Sequence, residues 1–129
     1  MAKSAPQISF NVDSIDYGTI DVGNTSAEKS YAIYNKAGAS FAHAINMSIS
    51  FKESTNASEA RSEGWVWVST VSTAYLSIGS VGGQEAYVGS ITSEAAGSAL
   101  VKTYVNVPAG AASAGRVAFL LHHRYQYTG

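Results

Sequence analysis

The sequence predicts an all-β fold, an antiparallel β-sandwich of about seven to nine strands. Three observations support this prediction. Val 11 and Ile 8 outnumber Leu 4, and β-branched side chains favour strands over helices. Short segments repeatedly alternate apolar and polar residues, which is the period of a strand with one buried face. Gly, Asn and Pro separate these segments, as turns separate the strands of a sandwich or a small barrel.

Length and composition restrict the class of protein. The 129 residues fit a single domain spanning 1–129. The chain has no cysteine, which excludes disulfides, thiolate metal sites and cysteine nucleophiles. Its formal net charge of -1 gives no basic excess for a phosphate backbone, so we expect no nucleic-acid partner. Charged residues make up only 13%, and because charges are depleted at interface cores, this favours a protein embedded in an assembly.

The first elements follow from alternation and turn residues. Residues 8–12 alternate apolar and polar side chains and predict a strand. Residues 15–22 predict a second strand, interrupted by Gly18, where a glycine indicates a bulge or a change of sheet. A turn follows at residues 23–24. Residues 26–34 then predict a longer strand that ends in the turn formed by residues 35–38.

Residues 43–52 give the clearest strand pattern in the chain. Four apolar side chains alternate with polar ones, and a helix would scatter them around its axis. The inner face is predicted to carry Ile45, Met47, Ile49 and Phe51. Residues 53–63 hold the densest group of charges and predict an exposed loop with room for one helical turn.

The second half of the chain predicts five more strands. They fall at residues 65–69, 75–78, 85–91, 99–107 and 116–127. The last of these is the longest, and one of its faces carries Val117, Phe119, Leu121, His123, Tyr125 and Tyr127. Loops are predicted for residues 79–83, 93–98 and 108–115, which are rich in glycine and other small residues.

One segment carries a family pattern. Residues 17–26 read Tyr-Gly-Thr-Ile-Asp-Val-Gly-Asn-Thr-Ser, and residues 31–38 read Tyr-Ala-Ile-Tyr-Asn-Lys-Ala-Gly. This segment resembles the opening of immunoglobulin-like domains of the major-sperm-protein and Hydin type, although here the spacing from Asn35 to Gly38 is one residue longer. The resemblance implies an immunoglobulin-like sandwich that acts as an adhesive or scaffolding module, and it brings no catalytic residue.

The C-terminal half has a second resemblance. Residues 105–110 and 115–119 combine small residues, few charges and the start of a long final strand. In this composition the chain resembles the small β-sandwich accessory proteins that decorate the virions of tailed phages. That resemblance implies a structural protein that binds neighbouring subunits.

No pattern in the sequence predicts catalysis or a cofactor. His122 and His123 are adjacent, so in a strand they face opposite sides and do not ligate one metal. The only other histidine is His43. There is no Gly-X-Ser-X-Gly elbow, and the glycines of residues 79–83 lack the lysine of a phosphate loop. We therefore expect no metal, no cofactor and no enzymatic activity.

Aromatic residues are the candidates for an interface, since aromatic side chains are enriched at binding hot spots. Trp65 and Trp67 are predicted to share one strand face, and core packing is the favoured interpretation for Trp67. The interface candidates are Phe10, Trp65, Tyr125 and Tyr127.

These observations predict a non-enzymatic structural protein of a virion, a capsid decoration or other accessory protein, or a tail component. Its expected partners are major capsid or tail subunits and further copies of itself. The N-terminal residues lack the apolar stretch of a secretory signal, and no segment has the length of a membrane span, so we expect synthesis in a host cytoplasm and no membrane partner. Two alternatives are an intracellular peptide-binding adaptor and a carbohydrate-binding module that uses Trp65, Trp67 or the tyrosines.

Overall fold

The computed structural model describes residues 4–35, 40–80, 83–93, 97–112 and 117–127. These residues form eight strands and one short helix. The elements are β1 (Ile8–Phe10), β2 (Lys29–Asn35), β3 (Ala44–Thr55), α1 (Ser58–Ser62), β4 (Val66–Thr70), β5 (Leu76–Ser77), β6 (Ala86–Ile91), β7 (Ser98–Val105) and β8 (Ala118–Gln126). Parts of the predicted turn at 35–38 and of the loops at 79–83, 93–98 and 108–115 lie outside the described residues.

The strands form two antiparallel sheets that face each other. One sheet has five strands in the order β1-β2-β7-β4-β5, and the other has three in the order β6-β3-β8. Every pairing between these strands is antiparallel. The predicted all-β sandwich is therefore confirmed.

A single cluster of buried side chains fills the space between the sheets. Both sheets contribute one face of alternating residues, as the strand period requires. The larger fully buried side chains of this core are Ile33, Met47, Ile49, Phe51, Val66, Val68, Ile78, Ile91 and Val101. Val117, Phe119, Leu121 and Tyr125 pack against the core from the C-terminal region, as predicted for that segment.

The predicted strand at residues 15–22 is wrong, because this segment has no regular secondary structure. The side chain of Asp16 accepts a hydrogen bond from the backbone N–H of Gly18 at 2.8 Å, and Gly18 has a φ of +82°. This turn replaces strand pairing with a local hydrogen bond. It also directs Tyr17 inward, where its hydroxyl lies 3.0 Å from the Thr103 hydroxyl and its ring stacks on Phe119.

The predicted inner face of β3 is wrong at its first residue. Ala44 and Met47 are both fully buried, whereas Ile45 between them is only partly buried. Asn46 has a φ of +53°, and the pairing with both neighbouring strands shifts register here. The bulge inserts an extra residue, so the alternation changes phase. From Met47 onward, the predicted inward residues Met47, Ile49 and Phe51 are confirmed.

The loop predicted for residues 53–63 is shorter in the structure. β3 continues to Thr55, and α1 supplies the single helical turn over Ser58–Ser62. Ala57 and Ala60 are buried in the core, so the helix is attached by its small residues while its charged residues face solvent.

Candidate functional site

Within the described residues, no group of three or more His, Asp or Glu side chains could hold a metal ion. No helix in that part of the chain is long and apolar enough to span a membrane.

One Ser–His pair has the residue types of a nucleophile and its base, but its geometry is structural. The backbone N–H of Ser93 donates to Nδ1 of His43 at 2.9 Å. The Ser93 hydroxyl donates to the carbonyl of Phe41 at 2.7 Å, and Ser93 is fully buried. Because its proton is held by a backbone carbonyl and no substrate can reach it, this pair ties β6 to the segment before β3.

A second histidine joins the two sheets at one side of the sandwich. Nε2 of His123 lies 2.6 Å from the hydroxyl of Tyr31. Burial is the main cause that lowers the pKa of His123, to about 4. His122 lowers this pKa further, whereas a backbone hydrogen bond with Leu121 raises it. Burial also raises the pKa of Tyr31, with Tyr17 adding to the effect. Tyr31 therefore stays protonated beside a neutral His123 ring, and the tautomer of that ring determines which of the two groups donates the hydrogen bond.

The four predicted interface residues occupy different environments. Phe10 is exposed at the sheet edge, and its ring centroid lies 4.7 Å from that of His123. Tyr127 is exposed just beyond the end of β8, and Tyr125 packs partly against the core. Trp65 is only 5% exposed, so it presents almost no surface to a partner.

The two tryptophans do not share a face. Gly64 has a φ of +63°, and the backbone N–H of Trp65 donates to the carbonyl of Ala60, so Trp65 belongs to the turn after α1 rather than to the strand alternation. Its indole N–H donates to Glu63 at 2.9 Å. Trp67, for which core packing was favoured, is instead partly exposed on the outer face of the five-stranded sheet.

Strand β8 forms an open edge of the three-stranded sheet. It pairs with β3 on one side, and none of the described residues pairs with its other side. The register shifts between β3 and β8 place the extra residues on β3, so β8 itself is regular along its nine residues. Phe10, Leu120 and Tyr127 are exposed apolar side chains at or beside this edge.

Two side-chain bridges cross the outer face of β3 and connect β8 to the β6 side of the sheet. Arg124 binds Glu85 through two hydrogen bonds, from Nε at 2.9 Å and from Nη2 at 2.6 Å. Asn46 donates to Gln126 at 3.0 Å and accepts from the hydroxyl of Tyr87 at 3.2 Å. These bridges hold β8 in place without using its free backbone edge.

The outer face of the five-stranded sheet carries a feature that the sequence did not indicate. Trp67 and Tyr104 are cross-strand partners with parallel rings whose centroids lie 6.1 Å apart. Beside them lies a cavity of about 260 Å³ lined by Ser69, Thr70, Val71, Leu100 and Lys102. We call this cavity and its lining residues the outer-face groove. β4 and β7 are far apart in sequence, so only their pairing brings these residues together.

No family model matches the chain, and no curated protein is significantly similar to it.

Proposed function

We propose that the chain is a non-enzymatic structural protein of a virion, a capsid decoration or other accessory protein or a tail component, that binds neighbouring subunits. The observation that carries this proposal is the open edge of β8. An unpaired edge offers a row of backbone N–H and C=O groups, and a partner strand that pairs with it extends the sheet.

The edges of this sandwich differ in how far they are protected. β1 and β5, the edges of the larger sheet, have three and two residues, too short to pair with a long strand. β6 carries Gly89 at a φ of +99° and a register shift, which interrupt its edge. β8 has nine regular residues, and its one strongly charged residue, Arg124, is bound to Glu85. Short edges, bulges and charges are how proteins block unwanted pairing. β8 is neither short nor bulged, and its single charged residue is paired with Glu85.

The surroundings of β8 fit a permanent partner. Phe10, Leu120 and Tyr127 add exposed apolar and aromatic surface, and only 13% of the chain is charged. A strand of a major capsid or tail subunit would bury this surface while pairing with the edge. A second copy of the chain could pair with the same edge, and such an oligomer would form within the assembly.

The test is sedimentation of the native protein in an untreated lysate of its source. We expect it to travel with a particle of megadalton size. Sedimentation at the size of the 13.5 kDa chain or a small oligomer would contradict the proposal and favour the peptide-binding adaptor or the carbohydrate-binding module instead.

A matched pair of variants tests the edge itself. Leu120 on β8 and Val22 in the turn before β2 are 52% and 51% exposed. Leu120→Asp places a charge beside the edge, so we expect it to abolish binding to particles stripped of the native protein, whereas Val22→Asp should bind normally. Equal binding by both variants, each shown to be folded by thermal unfolding, would remove β8 as the docking edge.

A further inference from the structure

The outer-face groove has an apolar side that is unusually accessible. Val71 is 72% exposed and Leu100 is 48% exposed. They lie close together because Thr70, the residue before Val71, pairs with Val101, the residue after Leu100. The cavity of about 260 Å³ is slightly smaller than typical drug-sized pockets, which begin at about 300 Å³, so it has room for a ligand of one ring.

The polar side of the groove offers one cation and one acceptor. Lys102 makes no hydrogen bond or ion pair with any residue that the structure describes, so its ammonium group is available to an anion. The Ser69 hydroxyl already donates its proton to the carbonyl of Thr73 at 3.2 Å, which leaves its oxygen as an acceptor. A complementary ligand therefore carries an anionic group, hydroxyl donors and an apolar face.

A peptide is a poor match for this surface. The groove lies on the face of a sheet whose strands β4 and β7 are paired with each other, so their backbone groups are already used. Peptides that bind sheets pair with open edges rather than with faces. A sugar ring needs no backbone partner, because it binds through its hydroxyl groups and the apolar C–H groups of its ring.

We propose that the outer-face groove binds a pyranose sugar that carries a carboxylate. The carboxylate pairs with the Lys102 ammonium, a ring hydroxyl donates to Ser69, and the C–H face of the ring packs on Leu100 and Val71. Beside Ser69 and Lys102, the next residues on the same outer face are Trp67 on β4 and Tyr104 on β7. Their aromatic rings extend the surface for a second sugar unit. This binding site is independent of the β8 edge.

The test is a titration of ¹⁵N-labelled protein followed by NMR. The acidic probes are trigalacturonate, sialyllactose and a hyaluronan tetrasaccharide, and the neutral probes are the methyl ester of trigalacturonate and lactose. We expect at least one acidic probe to give saturable shifts at residues 69–71 and 100–104 and its neutral counterpart to bind about tenfold more weakly. Absence of saturable shifts there with every acidic probe, or equal binding of acid and ester, would overturn the proposal.

Matched lysine variants test the role of the charge. Lys102→Met should remove the preference for the acidic probe, and Lys102→Arg should keep it. Lys52→Met, which removes an exposed lysine from β3 on the other sheet, should bind like the parent protein. Loss of the preference in the Lys52 variant, or its retention in Lys102→Met, would contradict the assignment. Saturation of the groove by an oligoglutamate peptide but by no sugar would instead identify an acidic protein segment as the occupant.

Discussion

Asn35 is a buried side chain that connects four parts of the molecule. Its Nδ2 group donates to the carbonyls of Ala42 and Ile91 at 3.2 and 3.1 Å, and its Oδ1 atom accepts from the N–H of Gln7 at 3.2 Å. Its own backbone N–H donates to Gly97. A single amide thus satisfies three backbone groups, two of which, the carbonyls of Ala42 and Ile91, are in buried hydrogen bonds that water would otherwise have to replace inside the fold.

We expect Asn35→Ala to lower the free energy of unfolding by about 3 kcal/mol, because the buried hydrogen bonds to the carbonyls of Ala42 and Ile91 and the part-buried one from Gln7 are lost. Urea unfolding followed by tryptophan fluorescence measures this change. The control is Asn106→Ala, which removes one exposed hydrogen bond to Thr25 and should cost well under half as much. Equal losses in the two variants would show that the buried network around Asn35 carries no special stability.

His123 makes the stability depend on pH. Its pKa is about 4 in the folded chain and near 6.5 when the chain is unfolded, so between these values the unfolded state binds more protons. The contribution of His123 to the free energy of unfolding should therefore be fully present above pH 6.5. The free energy of unfolding should fall by up to about 3 kcal/mol as the pH drops towards 4. Urea unfolding at several pH values across this window measures the slope.

The neighbouring histidine supplies the control for this pH dependence. His122 is adjacent in sequence and faces the opposite side of β8. His123→Gln should flatten the slope, since it removes the buried titrating ring. His122→Gln should change the slope far less, because His122 contributes less than burial to the lowered pKa of His123. A slope that survives His123→Gln would assign the pH dependence to the carboxylates instead.

At the scale of elements, β8 is held by side chains as well as by its pairing with β3. The Glu85 side chain is only 7% exposed, whereas that of Arg124 is 53% exposed. Loss of the exposed partner therefore leaves a buried carboxylate without its cation, and such a change costs more than loss of both charges.

We expect Arg124→Met to destabilise the protein by about 2 kcal/mol, and the double variant Arg124→Met with Glu85→Gln to recover at least half of this loss. A double-mutant cycle from urea unfolding gives the coupling energy between the two residues. If the double variant is as unstable as the sum of the two single variants, the pair behaves as an ordinary surface ion pair.

Alternation was sufficient to predict most strands but not their exact phase or partners. β2, β7 and β8 follow the pattern because each has one face in the core and few interruptions. The segment at 15–22 has the same apolar spacing, yet the Asp16–Gly18 turn satisfies the backbone locally. The bulge at Asn46 leaves no mark in the sequence, since asparagine suits both strand surfaces and positive φ.

The outer-face groove could not be predicted from the sequence, for a different reason. Its residues come from β7 and from the end of β4, strands that pair only through non-local contacts. Alternation places Leu100 and Lys102 on one face of a strand but gives no information on which strand lies beside it. Strand order, and with it every site on a sheet face, depends on the global fold.

At the scale of the whole molecule, the strands of the sandwich differ in whether one or both of their edges are paired. The central strands β3 and β7 are each paired on both sides, whereas β8, among the residues that the structure describes, is paired on one side only. In the free protein, about half of the β8 amides should therefore lack a backbone acceptor, because alternate residues of an edge strand point away from the neighbouring strand.

Amide hydrogen exchange can test whether the unpaired edge of β8 gains a partner in the assembled state. In the free chain we expect alternate amides of residues 118–126 to exchange rapidly, while those in the middle of β3 and β7 exchange slowly. On a particle, an added strand would supply acceptors, so the fast amides of β8 should become protected while β3 and β7 stay unchanged. Protection confined to the outer face of the five-stranded sheet would place the partner there and leave the β8 edge without a role in assembly.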